Sequence, residues 1–197
     1  MVEAVSGEAY PGGTRVEFPD MGLSFIVPEG WLGSIPEESD AFVMGSESQP
    51  GIMLALTHGA ATAEELVENL ADPMPLDEGV TLHAQGAPVV ELPWVKAAIL
   101  ATDGTGYLPG YLMAQVRRDG PGALYIGFGQ GAPQLFQRLV SGMAASTQNS
   151  APRPDAGTPE TQQDLPLFRR RGGPEITLGI GGGNGTGAGG AGLTPPL

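Results

Sequence analysis

Two histidines, His58 and His83, set among 22 Asp and Glu residues, are the side chains best suited to moving a proton or holding a metal. Imidazole titrates near neutral pH, so a His beside a carboxylate is the smallest device for general acid–base work, and a nearby Ser would extend it to a nucleophilic triad. Neither histidine stands in a motif that builds such a device. No H-x-x-x-H spacing is present to ligate a metal, and no G-x-S-x-G elbow to present a serine. Cysteine is absent, which removes thiolate nucleophiles, disulfides, Fe–S clusters and Cys-type zinc sites. Gly185-Thr-Gly-Ala-Gly-Gly190 fits the letters G-x-G-x-x-G, but a dinucleotide fingerprint opens a helix, and no helical pattern follows. The Asn184-Gly-Thr186 sequon falls in the same low-complexity run and follows from its composition. The residues therefore assign no catalytic, cofactor-binding or metal site, and no cofactor is expected. The rival reading is a hydrolase-type enzyme in which folding brings His58 or His83 beside carboxylates.

Charge narrows the partners. Residues 1–150 hold five basic and 18 acidic side chains and carry the entire net charge of −13, whereas residues 151–197 hold four of each. Such a body repels phosphate backbones and anionic lipid, so neither nucleic-acid binding nor membrane insertion is expected. No stretch approaches the roughly 18 apolar residues of a membrane span, and Met1 to Tyr10 lacks the basic and apolar regions of a signal peptide. A soluble protein follows, of unspecified compartment and compatible with the mature or trimmed form of an exported one.

The elements that would position any site are legible as short periodic runs. Thr14 to Pro19 and Leu23 to Val27 read as a first hairpin, and Ala41 to Gly45 and Gly51 to Thr57 as two further strands. Thr62-Ala-Glu-Glu65 fits a capping box, with Leu66, Val67 and Leu70 as the apolar stripe of a short helix ending near Asp72-Pro73. Val80 to Gln85, Trp94 to Thr102, Tyr111 to Arg118 and Ala123 to Phe128 read as four more strands, the last two joined by Asp119-Gly-Pro-Gly122. From Pro133 to Ser146, Leu135, Phe136, Leu139, Val140 and Met143 recur at helical spacing. Beyond Thr147 the pattern fails, and Gly179 to Gly192 is nearly pure Gly, Ala, Asn and Thr, too poor in apolar surface to offset its ordering entropy. The expected organisation is an N-terminal leader (1–13), an α+β domain (14–148) and a disordered Gly/Pro-rich tail (149–197), in which trypsin should clip at Arg169 to Arg171.

Phe25-Ile-Val-Pro-Glu-Gly-Trp31 runs a strand into a Pro/Gly turn that presents a large aromatic, which is expected to pack over the sheet. The segment Gly22 to Trp31, a helix after the fourth strand, an aliphatic strand before Gly110-Tyr111 and a closing helix ending in Ala145-Ser146 together resemble the PsbP/Mog1-like superfamily. The resemblance spans about residues 14–147. It implies a single antiparallel sheet flanked by helices and mostly non-enzymatic roles, among them photosystem accessory subunit, small-GTPase cofactor, lipoprotein and effector chaperone. It carries over no functional residue.

Strand alternation sorts the side chains into two faces. Ile52, Leu54, Leu56, Leu112, Ala114, Val116, Leu124, Ile126 and Phe128 share the side assigned to the helices, which leaves Met53, Tyr111, Met113 and Tyr125 on the other, rimmed by Trp94. Met and Tyr suit adaptable apolar contact. The expectation is a non-catalytic binding or accessory module that receives an unidentified protein partner on this apolar face.

Overall fold

The computed structural model describes residues 1–37, 39–77 and 79–151. The chain opens with β1 (Val2–Glu3), β2 (Ala9–Pro11), β3 (Arg15–Phe18) and β4 (Leu23–Ile26), the last two joined by a 3-10 turn over Pro19–Met21 that closes at Gly22. It continues through β5 (Leu32–Ser34), β6 (Phe42–Gly45), β7 (Ile52–His58) and α1 (Ala63–Ala71). Then follow β8 (Met74–Asp77), β9 (Val80–Ala84), β10 (Val89–Glu91), β11 (Trp94–Thr102), β12 (Tyr107–Gln115) and β13 (Gly122–Phe128). The helix α2 (Pro133–Ser146) and β14 (Gln148–Asn149) close the described chain.

These strands form two sheets where one was expected. The large sheet runs β2-β5-β6-β7-β13-β12-β11-β9-β8, with β10 beside the first residues of β11. The hairpin β3–β4 does not join it. After β4 the Pro28–Trp31 turn, with Gly30 at φ 77, sends the chain to β5, which pairs with β6 and β2. The hairpin's own edges are taken by β1, parallel to β3, and β14, antiparallel to β4. Residues 1–13, expected as a leader, thus supply a strand to each sheet, and Tyr10 is buried against Phe42 with ring centroids 5.9 Å apart. The tail expected to be disordered lies, from residue 152 on, outside the described residues.

The alternation places side chains as expected. Leu54, Leu112, Ala114, Leu124, Ile126 and Phe128 form one core with Leu66 and Leu70 of α1. The capping box holds the start of that helix: the Glu65 amide donates to Thr62 Oγ1 (3.3 Å) and the Thr62 amide to Glu65 Oε2 (2.7 Å). The second helix, however, lies across the opposite face, where Phe136, Val140 and Met143 pack on Met53, Met113 and Tyr125. Close approach is possible because Gly127 has no side chain; a Cβ there would sit 3.1 Å from Phe136 and 3.2 Å from Val140. The small sheet adds Val16, Phe18, Leu23, Phe25 and Val27 to the same layer, and Trp31 closes it, its indole N–H donating to Gln49 Oε1 at 3.3 Å.

Candidate functional site

Register brings the five expected contact residues together. Met113 stands opposite both Tyr125 and Lys96, Tyr125 opposite Ala55, and Tyr111 and Met53 both opposite Gly127. Trp94 stacks at 5.8 Å from Tyr125 in a tilted pair. Yet the face they share is not open. Met53 and Tyr125 are fully buried, Met113 and Trp94 nearly so, and Tyr111 is half-buried at the margin of the same core. The expectation of an uncovered apolar face on Met53, Trp94, Tyr111, Met113 and Tyr125 is overturned, because α2 and the hairpin β3–β4 occupy it. The Tyr125 hydroxyl shares a 2.7 Å hydrogen bond with Thr147 Oγ1, and burial pushes its pKa up despite that bond and the nearby Arg15 charge. These residues form a second core layer.

The histidines stand apart in environment. His58 is buried at the end of β7 with Nδ1 2.7 Å from the Gly59 carbonyl oxygen. His83 on β9 shares a 3.3 Å hydrogen bond with Thr102 Oγ1 of β11. Each ring's bonded partner is thus a carbonyl or a hydroxyl, and neither is a carboxylate. Asp103 uses its carboxylate to organise its own turn, accepting from the amides of Thr105 and Gly106 and from the Thr105 hydroxyl, which holds its pKa below the usual range. No cluster of three metal-ligating side chains occurs among the described residues.

Two surface features remain. An open cleft of about 220 Å³ lies between the start of β7 and the end of β13, walled by Ile52, Leu108 and Phe128. It is smaller than the roughly 300–1,000 Å³ typical of pockets for drug-sized ligands. The second is β10 and its turn into β11. Val89, Val90 and Leu92 are 54%, 46% and 74% exposed, three large apolar side chains within four residues. On one side β10 pairs with β11, in the register Val89↔Lys96, Val90↔Val95 and Glu91↔Trp94, and Glu91 and Lys96 form an ion pair across the two strands. On the other side β10 pairs with no strand among the described residues. Sequence reasoning missed this edge: Ala87-Pro-Val-Val-Glu-Leu-Pro93 is too short and proline-bounded to show a strand period, although its adjacent valines and leucine were visible.

The described chain is thus a mostly β molecule with one helix on each face of a long antiparallel sheet. No family model and no curated protein matches it. Among solved structures it is similar to the solution structure of cyanobacterial PsbP (CyanoP) from Synechocystis sp. PCC 6803, at 10% sequence identity and a TM-score of 0.45, over 75% of this chain and 98% of that chain. No described helix is long and apolar enough to cross a membrane.

Proposed function

We propose that this protein is a non-catalytic accessory module that binds a partner protein along the free edge of β10. The observation that carries the proposal is the exposure of Val89, Val90 and Leu92 on a strand that pairs on one side only among the described residues. Apolar side chains scattered singly over a surface need no explanation, but a contiguous apolar run on an open strand edge is a template for an added strand and a costly thing to leave bare. An extended partner segment would bond the β10 backbone and cover the valines and Leu92 with its alternate side chains.

The test is capture of partners from a lysate of the source organism by the intact protein and by a Val90→Asp/Leu92→Asp variant. Exposed positions tolerate charge, so the variant is expected to keep its melting temperature within a degree or two while losing the captured protein. Equal capture by the two proteins would overturn the reading.

A further inference from the structure

The edges of the long sheet are unequally defended. At one end β2 carries Pro11, and at the other β8 carries Pro75, with a register shift between Pro75 and Asp77. A proline on an outer strand removes a donor and a bulge twists the edge away, so both ends resist further pairing. Neither device occurs within Val89–Glu91 of β10, where two exposed valines stand instead. An edge built this way pairs with whatever suitable strand is held near it at the highest effective concentration.

The chain itself brings such a strand close, because it leaves the described domain beside β10. The Thr147 hydroxyl shares its bond with Tyr125, the Tyr125 ring lies 5.8 Å from that of Trp94, and Trp94 stands opposite Glu91. A second route joins the same places: Arg117 donates to Asn149 Oδ1 at 3.1 Å, and the adjacent Val116 amide donates to the Pro93 carbonyl at 2.7 Å. Each chain of contacts spans on the order of 20 Å. Of the sequence after Ala151, Glu175-Ile-Thr-Leu-Gly-Ile180 is the one run in which three large apolar side chains alternate with no proline between them. Its period of two puts Ile176, Leu178 and Ile180 on one face, and Ile and Thr favour extended backbone. Residues 152–174 join this run to Ala151, and a chain of that length reaches about 25 Å without being stretched.

Charge selects this run over a second copy of the protein. A second copy would bring another acidic body, of net charge −13, to an edge that already carries Glu91. The run at 175–180 instead lies just after Arg169-Arg-Arg171, the densest cationic stretch of the chain.

We propose that residues 175–180 add to β10 as an intramolecular strand, with Leu178 opposite Val90, so that the chain occupies its own edge until a partner displaces it. The inference rests on the reading of β10 as a strand-adding edge and names what regulates it. Leu178 so placed extends the row from Val90 to Val95, and Val95 lies in the core beneath α1. Tethering at roughly millimolar effective concentration lets weak pairing cover the edge, and the partner's apparent affinity falls in proportion to the docked fraction.

Residue-resolved amide exchange on the full chain tests the added strand. The amides of Val89–Glu91 that the β11 ladder leaves free, and those of residues 176–180, are expected to be protected in the wild type and to lose about tenfold in Leu178→Asp. Leu167→Asp, in the proline-interrupted run upstream, should change nothing, and Val90→Asp/Leu92→Asp should expose residues 176–180. Leu112 and Ile126 stay protected throughout, so that release is not confused with unfolding. Equal protection of β10 in wild type and Leu178→Asp overturns the proposal. So does protection that grows with protein concentration, which assigns the edge to a second copy, or its loss in Leu167→Asp, which assigns it to another segment. The partner reading fails separately. If protection falls in Leu178→Asp while Val90→Asp/Leu92→Asp captures the same proteins as wild type, the strand stands and the partner is removed. If that variant loses its captured protein while Leu178→Asp leaves β10 unchanged, the partner stands and the strand is removed.

Discussion

At the scale of single residues, burial reassigns side chains that the sequence marks as contact groups. Met113 touches α2, accepting a weak hydrogen bond from the Ser141 hydroxyl at 3.7 Å, and has no water to lose to a partner. Placing a carboxylate there is expected to cost several kcal/mol, about 3 or more, because the charge would enter a packed layer without a counterion. Urea unfolding of Met113→Glu measures it, and a stability equal to wild type would reopen the face. Tyr125→Phe is a milder probe of the same layer: losing the 2.7 Å bond to Thr147 should cost about 1 kcal/mol. Which residues share a face was legible, because a period of two is a property of the strand itself. Which face stays bare was not, because that depends on segments far away in the chain.

At the scale of elements, the long periodic segments read well and the short ones did not. β11 and α2 have the boundaries their patterns suggest, and the capping box of α1 is formed as its Thr62 and Glu65 spacing requires. Replacing Thr62 with Ala is expected to cost about 1 kcal/mol, since one amide of the first turn loses its acceptor, and the circular-dichroism melt should shift down accordingly. The Thr62 amide and hydroxyl hold the Glu65 carboxyl below its usual pKa, so this support is present at neutral pH and fades as acid protonates Glu65. The strands β5, β8 and β10, of three or four residues each, escaped notice because so few positions define no period. The side on which a helix lands is equally silent in its own sequence: α1 and α2 both carry one apolar stripe, and the connections send them to opposite faces.

At the scale of the molecule, the fold depends on residues that composition set aside. Tyr10 accepts from the Val5 amide (2.8 Å), donates toward the Glu3 carbonyl (3.1 Å) and packs on Phe42, so one side chain of the first 13 residues is anchored in the core. Tyr10→Ala is expected to lose about 3 kcal/mol by chemical denaturation, and an unchanged midpoint would return the segment to the status of a leader. The net charge of −13 acts globally. The acidic side chains far outnumber the basic ones available to pair with them, as Glu91 does with Lys96, so screening removes more repulsion than attraction. The melting temperature should therefore rise as sodium chloride goes from about 10 to 150 mM, and a fall would show that local attractions outweigh the net charge.

The four-stranded sheet has a mechanical consequence. Val2–Glu3 and Gln148–Asn149 lie on its two outer strands, in the order β1-β3-β4-β14, so the chain enters and leaves the described domain about 14 Å apart, three strand spacings. Tension applied through both ends would load two ladders of two residue pairs each before it reached the long sheet. Under a pulling force those short outer strands should peel first, as a fuse that lengthens the molecule while the β7-β13-β12-β11 core stays folded, visible as a small early step ahead of the main rupture in a single-molecule trace.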